Sequence, residues 1–576
     1  MARTPLFSEL VRLLRLARAA RRAGVDVVLF RDMQAEKAAL SRRRFLEYSA
    51  ALAVAPAFMR CGATGSVDTT DSSKDTSASE RIVIVGAGIA GLHCAYRLKQ
   101  KGIAATVYEA TGRVGGRMFT ERSIFPDGMS CELGGEFIDT THETLLDLAE
   151  ELGIELIDFA TDDKSLTPLV AWFDGKLLTE NDILTGFAPI AEKIDEALAT
   201  LTDQDDLYVY YDKHNGGAAL DAMSLSGWLD SIGASGSVRK LLETAYVIEY
   251  GLDATETNCL NMLFLISTDT NEFTEFGESD ERFRAKEGND IFTTKLAEKI
   301  GKDSIELNSQ LLSIKENANK TYTLVFSTDS GTNEVIADRV VLAFPFSVLR
   351  NLEVDVPLPE VKLNAIANAG VGQNSKVMMG FSERIWRQAG AVGLYYTDLG
   401  FQSAWDTSRL QPGTSGILTH YSGGTPAVDV GKVQASDNAA GFVEQLDVIL
   451  PGAKAAYTGK VVRFVWPTYP YSLCSYAAYR VGQYTTICGS EAERVGNLHF
   501  CGEHTNLDAQ GYMEGGALSG QVVASEIITD ILGDAASAQG ALSHAEQRIV
   551  ERGRLVRLHR RWRAGLRRNT ISAFLK

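Results

Sequence analysis

The chain has 576 residues, 45% of them hydrophobic, enough to bury one large core or two linked ones. Its formal charge is −17, yet residues 1–60 carry twelve Lys/Arg against five Asp/Glu and residues 541–576 carry ten against two; the tails are thus +7 and +8, and residues 61–540 hold about −32. An acidic body of that size repels phosphate backbones and argues against nucleic acid as a partner; it suits cationic ligands, and it also serves solubility.

The arginine-rich run Leu10–Arg22 suits a basic amphipathic helix at a membrane surface. Met33 stands eight residues before Ser41-Arg42-Arg43-Arg44-Phe45-Leu46, which resembles the twin-arginine export motif, and an apolar stretch from Tyr48 to Met59 follows. Translation from Met33 and export to the periplasm are expected on this reading. Cys61 stands where a lipid-modified cysteine would, but Arg60 before it fits poorly. Residues 62–79, rich in Ser, Thr, Asp and Gly, read as a linker, and the folded body is expected to start near Glu80.

Residues 82–85 are four apolar, mostly β-branched positions, the pattern of a strand buried on both faces. Gly86, Gly88, Ala90 and Gly91 follow, then a helical pattern up to Gly102 and a second strand, Ala105–Tyr108, ending at Glu109. This is a β-α-β unit with a dinucleotide fingerprint. Gly86 permits the turn, Gly88 lets a pyrophosphate approach, Gly91 allows close helix–strand packing, and Glu109 stands where a carboxylate accepts from ribose hydroxyls.

Arg113, Gly115, Gly116 and Arg117 form a second glycine-arginine loop that resembles the GRxGGR segment of the flavin-containing amine oxidase family. The resemblance implies FAD as cofactor, with this loop at its pyrophosphate. It also implies an α/β fold: a Rossmann-like, glutathione-reductase-like FAD domain built from discontinuous segments, plus a mixed-sheet and helical substrate domain. Next, Cys131-Glu132-Leu133-Gly134-Gly135-Glu136 resembles the family's E-L-G-G-x-aromatic segment, which passes the flavin ring. Related amino-acid oxidases place a carboxylate-binding arginine just after these glycines. Glu136 cannot play that part; it either receives an ammonium or is a hydrogen-bonded structural residue.

Residues 141–300 read as mainly helical, with Asp203–Asn215 as a surface loop. The period shortens toward two at Ile305–Ile314 and Thr321–Phe326, and Val335–Phe344 reads as one buried strand. The resemblance places a backbone group near Leu311 against the adenine. It returns the chain to the FAD domain over 281–345, after 80–140 and before 491–535, leaving 141–280 and 346–490 to the substrate domain and 1–79 and 536–576 as tails.

Asn374-Ser375-Lys376-Val377, leading to Phe381 and Trp386, looks like the family's stretch whose lysine holds a water against flavin N5. A desolvated lysine there supplies positive charge where the reduced ring becomes negative. Cys474-Ser475-Tyr476 stands near the flavin-linked cysteine of monoamine oxidases, so Cys474 is either a covalent link or a small buried residue. The closing segment from Leu498 to Ile528 resembles the family's F-A-G-E…G-Y-M-E-G-A end. By that match Glu503 serves the ribitol or phosphate side of FAD, Met513 starts a helix at the flavin C2 carbonyl, and Tyr512 is one wall of an aromatic cage. The other wall is Trp466 or Tyr476.

The seven cysteines and eight histidines are scattered without metal-site spacing, so no metal is expected. Beyond Gly533 a basic amphipathic pattern suits contact with anionic lipid or with the acidic body. The reaction implied is hydride transfer from a primary or secondary amine to flavin N5, giving an imine that hydrolyses to an aldehyde or ketone. Oxygen then becomes peroxide, or a carrier protein takes the electrons. The alternatives are an L-amino-acid oxidase and a non-catalytic FAD-bound module at a membrane surface.

Overall fold

The computed structural model describes residues 80–204, 207–268, 274–277 and 279–533. The twin-arginine segment, Cys61, the linker and both basic tails lie outside them. At the centre is a five-stranded parallel sheet in the order Leu498–Phe500, Arg339–Leu342, Ile82–Val85, Ala105–Tyr108, Ile305–Glu306. Every residue of Ile82–Val85 and of Arg339–Leu342 is buried, as a central parallel strand requires. Three distant stretches of chain therefore build one sheet.

Two helices, Ile89–Gln100 and Met513–Leu532, pack together on the sheet. Their approach depends on a missing side chain. A Cβ at Gly520 would sit 2.1 Å from the Ala90 carbonyl oxygen.

A four-stranded sheet follows the order Gly331–Ala337, Tyr322–Thr328, Gln310–Glu316, Glu353–Asp355. The expected single strand Val335–Phe344 is in fact the end of one strand in this sheet and the whole of Arg339–Leu342 in the parallel one. The break falls at Asp338, whose carboxylate turns back to accept from the Arg81 backbone N–H at 2.8 Å. The residues before it are mostly exposed along an edge strand, which the apolar run alone did not reveal.

A seven-stranded mixed sheet runs Tyr457–Val465, Asn374–Phe381, Gly416–Gly423, Ser403–Asp406, Tyr395–Thr397, Val170–Phe173, Lys176–Leu178. Asn374–Phe381 is buried along its whole length. Residues 141–300 are mainly helical, including Glu180–Leu198 and Gly236–Tyr250, the first opened by a capping box of Thr179 and Asp182. They also contribute the hairpin Val170–Phe173/Lys176–Leu178, turned by Asp174 and Gly175 in left-handed conformations. The stretch expected to be a surface loop, Asp203–Asn215, does more than cover the surface. Val209 is fully buried in the core, and Tyr208 lines the large cavity described next. No helix among the described residues is long and apolar enough to cross a membrane.

Candidate active site

A cavity of about 400 Å³ runs from Glu109 and Thr111, at the C-terminal end of the parallel sheet, to Tyr476 and Tyr512 beside the mixed sheet. Its first part is the glycine turn. Gly86 has φ +107°, and a Cβ there would meet the Ala343 carbonyl oxygen at 2.8 Å. A Cβ at Gly91 would lie 2.0 Å from the Gly86 oxygen, so this glycine serves the packing of helix on strand. Gly88 is different: nothing lies within 4 Å of its missing side chain, and with Ala90 it faces the open cavity at a helix N-terminus. Glu109 is buried and accepts from the Ala87 N–H at 2.8 Å and the Thr111 N–H at 2.9 Å.

The second glycine loop bonds to the first through Gly115 N–H and the Ala87 carbonyl, 2.9 Å. Gly116 and Arg113 line the cavity; the Arg113 guanidinium lies over the Phe119 ring at 3.9 Å and donates to the Gly116 carbonyl at 2.6 Å, bracing the loop. Arg117 donates to Glu503 at 2.7 Å and to the Ser475 carbonyl at 2.9 Å. Glu503 also accepts from the backbone N–H groups of Ala477 and Gly511. One carboxylate thus joins three segments around the cavity.

Gly134 and Gly135 form its middle. A Cβ on Gly134 would overlap the Arg117 carbonyl oxygen at 1.8 Å, and one on Gly135 would strike Met513 at 2.7 Å. Met513 opens the helix Met513–Leu532, whose N-terminus therefore points at this part of the cavity. Trp466 is buried, donates to the Leu133 carbonyl at 2.8 Å and packs on Gly134. Lys376, on the second strand of the mixed sheet, is buried with its ammonium donating to the carbonyls of Glu132 (3.1 Å) and Gly134 (2.8 Å) and to the Glu136 carboxylate (2.8 Å). Each of the three ammonium hydrogens thus has a protein acceptor. Glu136 accepts from the Lys376 ammonium and, through its other oxygen, from the Thr407 hydroxyl.

At the far end Tyr512 donates to Glu249 at 2.8 Å, with the His142 ring 5.2 Å away. Tyr476 donates to the Ile248 carbonyl at 2.9 Å, which leaves its oxygen to accept from Tyr421, also at 2.9 Å. The Tyr476 ring lies against Gly511, next to Tyr512, whereas Trp466 sits deeper, against Gly134. Of the two candidate walls, Tyr476 is the one beside Tyr512. Asp139, Glu249 and Glu281 line the same end. Burial raises the Glu249 carboxyl to about 7, against the lowering effect of its bond from Tyr512; burial, then the nearby Asp139 and Glu249, raise Glu281 to about 8. Glu281 is held at φ +43°, its N–H donating to Asp139 at 2.8 Å.

Leu311 and Cys474 both lie outside the lining of the large cavity. Leu311 does not line the cavity: pairing with Phe326 in the four-stranded sheet places its side chain in the hydrophobic core. Cys474 is buried with its sulfur 3.3 Å from the Ser347 hydroxyl and faces a separate void of about 20 Å³ beside His504, while its neighbour Ser475 lines the large cavity. Glu249, Glu281, Asp139, Tyr421 and Tyr208 were not singled out in the sequence, because they come from separate elements and carry no local motif.

The residues present fit FAD. The open face of Gly88, the helix amides behind it, Arg113 and the bare surfaces of Gly134 and Gly135 make a cradle that side chains would fill. Fold and cavity together define a flavin-dependent oxidoreductase. The flavin containing amine oxidoreductase family matches residues 89–528, and the chain belongs to it: its chemistry is FAD-dependent oxidation of amines. Among similar proteins is a probable flavin-containing monoamine oxidase A of Dictyostelium discoideum, 25% identical over 463 residues, covering 78% of this chain and 98% of that one. A pseudooxynicotine dehydrogenase of Pseudomonas sp is 24% identical over 471 residues, covering 79% and 88%. The solved cyclohexylamine oxidase from Brevibacterium oxydans IH-35A has the same fold, with a TM-score of 0.68 at 22% identity over 79% of this chain and 100% of that one.

Proposed function

We propose that the substrate is a primary or secondary amine without an α-carboxylate. The observation that carries this is the charge of the cavity. Its Tyr476/Tyr512 end is lined by Asp139, Glu249 and Glu281. Among the described lining residues the cationic side chains are Arg113 and Arg117, in the glycine-loop part, and Lys376, which is paired with Glu136. A carboxylated substrate finds no free cation at that end, whereas an amine finds carboxyl groups able to accept its hydrogens.

FAD, when bound, accepts the hydride from the carbon beside the amine nitrogen. The chain's own residues do the rest. Tyr476 and Tyr512 flank the amine and limit its orientations, their hydroxyls tied back to Ile248 and Glu249. The buried carboxyls titrating near neutrality are suited to take a proton from the arriving ammonium, leaving the neutral amine the reaction needs. Water then hydrolyses the released imine to an aldehyde or ketone.

The test compares an amine with its α-carboxylated analogue under anaerobic conditions. Bleaching of the flavin by the amine alone supports the reading. Bleaching by the amino acid alone overturns it, and a mere FAD-bound module stays oxidised with both. Oxygen is the acceptor proposed, with peroxide as product; the relative named as a dehydrogenase supports a carrier protein as second reading. Oxygen uptake against reduction of an added one-electron acceptor separates the two.

We also propose export by the twin-arginine route, on the strength of Ser41–Leu46, and lipid contact through the basic tails. An R42K/R43K variant retained in the cytoplasm supports the first; unchanged export overturns it. Salt-sensitive binding to anionic vesicles tests the second.

A further inference from the structure

Behind the bare glycines of the cavity lies a buried cluster of charged side chains. Lys376 and Glu136 side chains are 6% and 2% exposed and meet at 2.8 Å. The other Glu136 oxygen accepts from the Thr407 hydroxyl at 2.9 Å, and Thr407 is in turn 2.5 Å from Thr419. Arg284, 1% exposed, stands 3.9 Å from Glu136 and donates to the Thr407 carbonyl at 2.8 Å. The backbone is held as well: the Asn289 amide donates to the carbonyls of Gly135 and Glu136. Glu136 is fixed at both ends, by its backbone and by its carboxylate.

We infer that Glu136 is a positioning residue that fixes Lys376 against the glycine segment and cancels its charge at the cofactor. Three observations carry this. The ammonium has three hydrogens and three protein acceptors within 3.1 Å, two of them carbonyls of the segment that ends in Glu136. Both side chains are withdrawn from solvent, so their opposite charges are poorly screened and act as a pair. And both line the cavity beside Gly134, Gly135 and Met513, where the ring system of FAD finds room. A lysine alone would place a net positive charge there and favour the anionic reduced cofactor. Paired with Glu136, the lysine itself contributes little net charge there; Arg284 stands beyond the pair, 3.9 Å from Glu136, and the N-terminus of Met513–Leu532 points at the same part of the cavity.

The experiment reads the midpoint potential of bound FAD by dye-coupled reductive titration of the holoenzyme. E136Q, which keeps the shape and an acceptor for Thr407, shifts the potential positive by exposing the lysine's charge. K376M shifts it negative by exposing the carboxylate. The E136Q/K376M double variant returns to the wild-type value, since each change removes what the other left unpaired. E136D, which retains the charge one methylene further back, gives a smaller positive shift and carries the test should E136Q not fold. A potential unmoved in E136Q or E136D, or shifts of the same sign in E136Q and K376M, overturns the inference. A residue that merely filled space would alter thermal stability and leave the potential where it was.

Discussion

Arg117 and Glu503 lie 386 residues apart in the chain and 2.7 Å apart in space, and through them the second glycine loop, the Ser475–Ala477 segment and the Gly511 turn are one unit. The pair is largely buried, Glu503 at 8% and Arg117 at 23% side-chain exposure. Truncating one partner strands the other charge and loses two backbone hydrogen bonds besides. E503A is expected to lose about 3 kcal/mol or more of stability and most of its bound flavin. Thermal unfolding and the flavin-to-protein ratio measure both; a fully yellow variant of normal stability contradicts the linkage.

Gly134 and Gly135 are adjacent but predict different outcomes. A Cβ at 134 overlaps backbone, which cannot yield, whereas at 135 it meets the flexible end of Met513. G134A should fail to fold or to hold FAD. G135A should fold and bind FAD with a perturbed absorption spectrum, since Met513 must move. Equal behaviour of the two variants would remove the distinction.

The Glu249 carboxyl sets a pH dependence. Burial raises its folded pKa to about 7 from an unfolded value near 4.5, so the folded protein holds a proton there that the unfolded chain has released. Its contribution to stability is complete below about pH 4.5 and is lost as pH rises through about 7. E249Q removes this slope. Measured from pH 5 to pH 8, the melting temperature of E249Q should rise relative to wild type, and a constant difference would show that Glu249 does not titrate in this range.

Tyr476 donates a hydrogen bond to the Ile248 carbonyl and accepts one from Tyr421. Y476F loses both bonds while keeping the ring, at about 1 kcal/mol each, which predicts roughly a fivefold to thirtyfold fall in kcat/KM. Y476A, without the ring, should fall further. Steady-state kinetics with one amine decides; equal losses in both variants would mean that the ring itself contributes nothing.

Cys474 faces the small void beside His504 and not the cavity that Ser475 lines. Acid denaturation should therefore release all the flavin into the supernatant, and C474A should bind FAD as the wild type does. Yellow colour retained in the precipitate would contradict the position of this thiol.

The nucleotide end of the site was legible because its signals are local: a buried strand, a glycine turn, a helix and an acid within thirty residues. Lys376 and Tyr512 were legible only through longer segments whose likeness to a family fixes their place. The carboxylates of the substrate end were not, since Asp139, Glu249 and Glu281 acquire meaning only when a loop, a helix and a strand flank converge. Leu311 shows a subtler limit. The alternation over Ile305–Ile314 spans two strands of different sheets, Ile305–Glu306 and Gln310–Glu316, and within the second a register shift falls between Leu311 and Ser313. The hairpin at Asp174-Gly175 carries a strong turn signal that the surrounding helical pattern obscured.

The parallel sheet interleaves residues 82–85, 339–342 and 498–500. A ribosome delivers the first of these more than four hundred positions before the last, so during synthesis the nascent nucleotide turn waits beside a missing edge strand and a missing helix. The cavity that would hold the coenzyme is accordingly complete only once the last strand and the helix Met513–Leu532 have been made. A chain cut short before the final helix would be left not half-loaded but empty.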